Sequence, residues 1–339
     1  MSVDRFFYGK KILIIGGTGT IGQGLLKAIL PSQPEVIRIF SRDEDKQFEL
    51  RQQMTEHRNI RYLIGDVRDP DRVRRSMQDI DYVFHLAAMK HVPACEYDPY
   101  EAVKTNIIGT QNVIQASLNA GVKKTIFTST DKAIAPTNTY GATKLMAERL
   151  IASAQYNSGT HKTVFAAVRF GNVMGSRGSV IPLFKSQIKR QRRITVTDLT
   201  MSRFMMTLKQ ATDLTIKAMK IARGGEVFIL KMPVVQLKDL VDTMIEEMAG
   251  RLNIDPDTIV MEEIGLRPGE KMYEELMTCD ESKLAYELPD MFVIPNIFLG
   301  KTFDYPEAKR AEQRSYSSND APPVLRQEVL QMLRQNGLV

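Results

Sequence analysis

Tyr140 and Lys144 stand four residues apart, with Thr130, Asp131 and Lys132 shortly upstream. On a helix an i, i+4 pair shares one face, so the Lys144 ammonium lies beside the Tyr140 phenol and favours its ionised form. Such a phenolate can take the proton of an alcohol while hydride leaves that carbon for a nicotinamide. Y-x-x-x-K alone commonly marks only an exposed helix face; here it follows a strand that ends in Thr130-Asp131-Lys132. Three reactive side chains at a strand's C-terminal end sit in the crevice where open α/β sheets bind ligands. Without Tyr140 downstream, the same three would read as a capped turn with a solvated lysine.

The elements that must position these residues alternate along the chain. Lys11–Ile15, Val36–Phe40, Ile60–Ile64, Tyr82–Leu86, Thr125–Ser129 and Val164–Phe170 are short apolar runs predicted as strands. Helical patterns at Ile21–Leu30, Glu44–His57, Ala102–Ala120 and Thr139–Tyr156 separate them. The fold class this predicts is α/β, a doubly wound parallel Rossmann sheet with a smaller, discontinuous α/β substrate domain. After Phe170 the rhythm breaks into GNVMGSRGSVIPLF, then returns with a helix over Leu208–Ala222 and a strand over Glu226–Lys231. Residues 1–173 and 205–233 are therefore expected to form the dinucleotide-binding unit, and 174–204 and 234–299 the smaller one. Residues 300–339 are expected to form a C-terminal tail, with a polar, turn-rich loop over Arg310–Pro323 and a final amphipathic helix, Val324–Leu333, able to dock on this subunit or a neighbour.

The first strand runs into GGTGTIG, with Gly16, Gly19 and Gly22 at the mouth of a helix. Glycines there allow a tight turn and close approach of a pyrophosphate, whose charge the helix N-terminus stabilises. Where a carboxylate would bind the ribose hydroxyls of NAD, the second strand ends in Ser41-Arg42-Asp43, with Lys46 beyond. A hydroxyl and two cations suit a 2′-phosphate, so NADP is expected over NAD. Asp66 and Val67, after the third strand, are placed to hold the adenine edge.

Composition is that of an ordinary globular chain: 339 residues, 43% hydrophobic and 25% charged. The net charge of +6 is mild and suits an anionic ligand at least as well as nucleic acid. Cys95 and Cys279 lie far apart, and His57, His85, His91 and His161 show no ligand spacing, so no metal site is expected. The basic run Lys189–Arg193 has no interleaved aromatics and reads as a solvated helix end. The 18 methionines read chiefly as core filler. With no signal peptide pattern and no long apolar run, a cytoplasmic protein without a membrane span is expected.

Taken in order, GGTGTIG, FSRDEDKQFE, IGDVRD, HLAAMKHVP, EAVKTNIIGTQNV, STDKA, YGATK, RFGNVMGSRGSVIPLF, TDLTMSRFMM and RPGEK cover nearly residues 10 to 295. The chain resembles the extended short-chain dehydrogenase/reductases. Within them it is similar to the UDP-N-acetylglucosamine 4,6-dehydratases of bacterial polysaccharide and flagellin-sugar biosynthesis.

That resemblance implies hydride removal from sugar carbon 4, loss of water across carbons 5 and 6, and hydride return to carbon 6, with NADP regenerated each turnover. It implies Asp131 as the acid that protonates the departing 6-hydroxyl and Lys132 as the base at carbon 5. A lysine base must be neutral, so its pKa is expected to fall in a buried site near Lys144 and a positive nicotinamide. Thr18, Thr20, Ile21, Ala87 and Ala88 complete the implied cofactor set. The implied substrate positions are Met89, Lys90, Asn172, Arg177, Val180, Thr197, Met201, Arg203, Arg267 and Glu270, the arginines facing diphosphate. Other sugar-nucleotide dehydratases carry Asp-Glu where this chain has Asp131-Lys132. Some relatives carry methionine in place of Tyr140, and the tyrosine leans towards the group that inverts carbon 5.

The competing readings are a nucleotide-sugar 4-epimerase, which has no use for an acid at carbon 6, and a non-enzymatic NADP sensor. Nucleic-acid binding through Lys189–Arg193 is a further competitor, and no nucleic-acid partner is expected. The expected partners are a UDP-sugar and further copies of the chain.

Overall fold

The computed structural model describes residues 5–267, 269–300 and 304–339. Six strands follow the predicted alternation: β1 (Lys11–Ile15), β2 (Val36–Ser41), β3 (Ile60–Ile64), β4 (Tyr82–His85), β5 (Lys124–Thr128) and β6 (Val164–Arg169). They pair in parallel in the order β3-β2-β1-β4-β5-β6, and Val227–Leu230 adds parallel to β6. The order reverses between β1 and β4, so a crevice opens at the C-terminal ends of those strands.

β1 shows why the sheet must be covered twice. Ile12 and Ile14 join the core on one face, Leu13 and Ile15 the core on the other, and all four are fully buried. Successive strand residues point to opposite faces, so an unbroken apolar run forms a strand only where helices cover both. A third cluster lies apart from these two. It gathers Ile181, Phe184 and Ile188 of the helix Val180–Gln191 with Leu240, Val241 and Met244 of the helix Leu237–Leu252.

The sheet also extends into residues that sequence reasoning places in the smaller unit. Met291–Ile294 pairs antiparallel with Val227–Leu230, and Tyr286–Glu287 pairs antiparallel with Met291–Ile294. These runs are too short to carry a periodic signal, and the pairing partner chooses their place. The predicted loop over Arg310–Pro323 likewise holds a two-residue strand, Tyr316–Ser317, paired with Glu275–Met277.

The final helix spans Arg326–Gln335 and docks on this chain's own third cluster through Val329 and Leu333. Leu325, counted with the apolar face in the sequence, is exposed, because the chain turns there and its N–H donates to Glu328 Oε2 at 2.8 Å. The basic run is divided: the helix ends at Gln191, Arg192 is left-handed, and Arg193 starts a strand with an ion pair to Glu262. Among the described residues, no helix is long and apolar enough to cross a membrane, and no group of three His, Cys, Asp or Glu could hold a metal ion.

Candidate active site

A cavity of about 770 Å³ runs along the C-terminal ends of the central strands. Its floor at one end is the turn after β1. Gly16 adopts φ +83°, and a Cβ there would lie 2.9 Å from the Ala87 nitrogen, so only glycine lets this turn meet the chain leaving β4. The helix Thr20–Ile29 starts at once, with Gly19 as an N-cap that supplies no side-chain acceptor. Its first N–H groups face the turn as an anion would require.

Gly16, Thr18, Gly19, Thr20, Ile21, Gly22, Ser41, Arg42, Lys46, Val67, Ala87 and Ala88 all line this cavity. Asp66 does not. Its carboxylate accepts from the Arg68 backbone at 2.9 Å and from Arg68 Nε at 2.8 Å, with Arg42 3.6 Å away. Arg42 is more than half exposed, while Lys46 is drawn to Asp43, whose carboxyl it holds below the usual range.

Thr130, Asp131, Lys132, Tyr140 and Lys144 meet at the other end of the same cavity, as expected from their spacing. Tyr140 and Lys144 lie on the helix Thr139–Tyr156, whose first turn is capped by Asn138 Oδ1 accepting from the Gly141 N–H at 2.8 Å. A Cβ on Gly141 would stand 2.1 Å from the Lys132 carbonyl oxygen, so this glycine lets the helix seat against the Asp131–Ala133 turn. Lys144 is buried; its ammonium donates to the Thr128 carbonyl at 2.6 Å and lies 3.9 Å from the Phe127 ring centroid. Burial draws its pKa down to about 7 against the opposing pull of Glu148. Glu148 is itself neutralised by the fully buried Arg169, which also pairs with Glu281.

Two electrostatic expectations are corrected by this geometry. Tyr140 is not shifted down: burial pushes its phenol up to about 12, and the cation acting against that shift is Lys132. Lys132 is not shifted down either. Burial alone would lower it, but the carboxylates of Asp131 at 2.8 Å and Glu274 at 3.4 Å raise it well above the ordinary lysine value. Asp131 is buried and is held below its ordinary range by Lys132, which outweighs the opposing effect of desolvation. Its other oxygen accepts from Thr130 Oγ1 at 2.8 Å.

A second cavity of about 180 Å³ adjoins the cluster and is lined by Asp131, Lys132, Asn172, Arg203, Glu270 and Glu274 among others. Met89, Lys90 and Asn172 line the main cavity. Arg177 lines the main cavity too, beside the glycine turn, where its guanidinium donates to the Thr18 carbonyl and its N–H to Thr20 Oγ1 at 3.3 Å. Lys90 Nζ reaches the Arg177 carbonyl at 2.7 Å and ties the two loops together. Val180, Thr197, Met201 and Arg267 line neither cavity. Met201 is buried in the third cluster, Val180 opens a helix, and Thr197 follows the strand Arg193–Val196. Arg267 is exposed, its N–H donating to Glu270 Oε2 at 3.3 Å across a turn.

Two residues that the sequence does not single out belong here, one supporting the cavity wall from behind and one lining the second cavity. Asn106 is buried in a π-helical stretch, Val103–Ile108, that opens what reads in sequence as one long helix. Its side chain accepts from the Met89 N–H at 2.8 Å, and donates to the Met89 carbonyl at 3.0 Å and to Thr143 Oγ1 at 2.9 Å. The available signal was a polar side chain on an otherwise buried helix face. Glu274, four residues after Glu270, is the other.

Residues 12–296 match the model of the family described as "Polysaccharide biosynthesis protein". The chain belongs to that family. It is 43% identical to a UDP-N-acetylglucosamine 4,6-dehydratase (inverting) from Campylobacter jejuni, over 86% of this chain and 85% of the relative. It is 38% identical to a UDP-glucose 4-epimerase from Rickettsia typhi, over 96% of each chain. The X-ray structure of Pen from Bacillus thuringiensis superposes with a TM-score of 0.93 at 58% identity, covering 98% of this chain and 99% of that one.

Proposed function

We propose that this family member is a lyase that converts UDP-N-acetylglucosamine to a UDP-4-keto-6-deoxy-hexosamine using NADP, with inversion at carbon 5. The observation that carries this reading is the 2.8 Å contact of Lys132 Nζ with Asp131 Oδ2, beside Tyr140. That ion pair is one proton transfer away from the pair dehydration needs. When the proton moves from Nζ to Oδ2, Lys132 becomes a neutral amine and Asp131 a carboxylic acid, with no proton gained from solvent.

From that state Lys132 takes the carbon-5 proton, the carbon 5–carbon 6 double bond forms, and the 6-hydroxyl leaves with the Asp131 proton as water. The cluster returns to an aspartate and an ammonium. When bound, a nicotinamide would supply the redox chemistry, hydride acceptance from carbon 4 and its return to carbon 6, and carbon 5 then takes up a proton of solvent origin. Tyr140, with Thr130 beside it in the cavity, takes the carbon-4 hydroxyl proton after its own phenolic proton has passed to solvent, and Lys144, bonded to the Thr128 carbonyl, holds the helix face that carries Tyr140. Ser41, Arg42 and Lys46 are the groups for the 2′-phosphate of NADP, and Arg177 acts at the cofactor loop.

The relatives named as inverting dehydratases support this reading, and so does the presence of an acid that epimerisation does not require. The relatives named UDP-glucose 4-epimerase favour the second reading, a nucleotide-sugar 4-epimerase. The division into a cofactor unit and a substrate unit, cytoplasmic action and self-association remain part of the same proposal. The test is proton NMR of the protein with UDP-N-acetylglucosamine and NADP in deuterated water. A 6-methyl signal with deuterium at carbon 5 supports dehydration, and its couplings report inversion; the galacto isomer without a methyl signal supports epimerisation instead.

A further inference from the structure

We propose that Glu274 is a positioning residue of the dehydration site, a second carboxylate that holds the Lys132 amine and aims its lone pair. This rests on the dehydratase reading above and deepens it.

Glu274 is 5% exposed; burial and the nearby Asp131 push its carboxyl above the ordinary range, and Lys132, Arg203 and Asn172 act against that shift in favour of the charge. Oε1 lies 3.4 Å from Lys132 Nζ and 3.5 Å from Arg203 Nε. Asn172 Nδ2 donates to both carboxylate oxygens at 2.9 Å, and the Phe204 N–H donates to Oε2 at 3.1 Å. The backbone is clamped as firmly: the Glu274 N–H donates to Ser318 Oγ at 2.9 Å, and the Ser318 N–H to the Glu274 carbonyl at 2.8 Å. Ser318 is joined to Ser202 at 2.9 Å between hydroxyls. The carboxylate is therefore fixed from three chain segments, and it faces Lys132 across the smaller cavity.

A carboxylate that served stability alone would be satisfied by Arg203, Asn172 and the Phe204 N–H. The approach to Lys132 exceeds that need and makes chemical sense in the reactive state. Once Asp131 has taken the proton from Nζ, its oxygen no longer accepts from the amine as a carboxylate. The neutral amine has two N–H bonds and one lone pair. An N–H given to Glu274 restricts the rotation of the amine and leaves the lone pair to face carbon 5. After the proton is taken, the same carboxylate stabilises the ammonium that forms.

The charged and titratable groups facing Lys132 are Asp131, Glu274 and Tyr140, and those facing Glu274 are Asp131, Lys132 and Arg203. Glu274→Gln keeps an acceptor and removes the charge. The experiment measures kcat, KM and the pH profile of kcat for wild type, Glu274→Gln and Glu274→Asp with UDP-N-acetylglucosamine. We expect E274Q to lower kcat by about 100-fold through misplacement of the base, with KM nearly unchanged. Its limb for Lys132 ionisation should move to lower pH by about one unit or more. E274D should retain the wild-type limb and recover part of kcat.

Wild-type kcat and an unmoved limb in E274Q, with the wild type forming the 6-methyl product, would overturn the positioning role alone. Should E274Q fail to fold, E274D decides: a reduced kcat with an unmoved limb supports the role, and an unchanged kcat overturns it. Absence of the methyl product in the wild type would overturn the dehydratase reading and this inference with it.

Discussion

The two ends of the cleft are built in different ways. The cofactor end is assembled from turns that directly follow consecutive strands, and its key glycines and hydroxyls fall within seven residues of sequence, Gly16 to Gly22. The substrate end is assembled across the chain: Lys132 meets Glu274 at a separation of 142 residues, and Asn172 meets it at 102. A local turn can be read from its residue types because backbone geometry dictates them. A long-range cluster is dictated by packing, and its members look like ordinary surface residues until the chain is folded.

Asp131→Asn is the sharpest way to separate the ends. Dehydration should fall by about 10²–10⁴-fold, the usual contribution of a positioned acid, while NADP affinity measured by calorimetry stays at the wild-type value. A matching loss of NADP affinity would show that the two ends are not independent. Glu148→Gln attacks the wall behind both. It leaves the fully buried Arg169 with Glu281 as its remaining carboxylate partner, and chemical denaturation should report a loss of about 3–5 kcal/mol.

Arg42→Ala perturbs the cofactor end alone. NADP binding should weaken by about tenfold or more, as for a lost charge-assisted hydrogen bond, with NAD binding and the product unchanged. Equal effects on NADP and NAD would remove Arg42 from 2′-phosphate recognition.

The smallest effect concerns pH. Lys144 titrates near 7 when folded and near 10.5 in an ordinary environment, so between these values the unfolded chain binds the extra proton. Stability contributed by this group therefore rises with pH across that window and is penalised below it. In Lys144→Met the pH slope of unfolding free energy between pH 7 and 10 should be smaller by about one proton. An identical slope would show that Lys144 is not held neutral by its burial.

The same contrast explains what was legible in the sequence. The limits of β1, β3 and the helix Thr139–Tyr156 match the residues as read, because apolar periodicity is a local signal. The Y-x-x-x-K pair and Asp131-Lys132 were legible for the same reason. Their electrostatics were not: the raised pKa of Lys132 comes first from Asp131 and then from the distant Glu274, against a burial that the sequence does not display, and the depth of Lys144 depends on Phe127 and the Glu148–Arg169 pair. The motif places Arg177 at the cleft, where it is found, but not its contact with the Thr18 carbonyl, which a glycine-rich loop 159 residues away makes. Met201 fell to the ordinary role of a methionine, as filler of an apolar cluster.

The central claim is that Lys132 is the base at carbon 5, despite the ammonium form that its two carboxylates favour. It is tested most directly by following exchange of the carbon-5 proton in deuterated water by NMR, for wild type and Lys132→Ala, each with bound NADP and the UDP-4-keto-6-deoxy-hexosamine. The account predicts rapid exchange in the wild type and a rate lower by about 10²–10⁴-fold in the variant. Exchange in Lys132→Ala at the wild-type rate would contradict it.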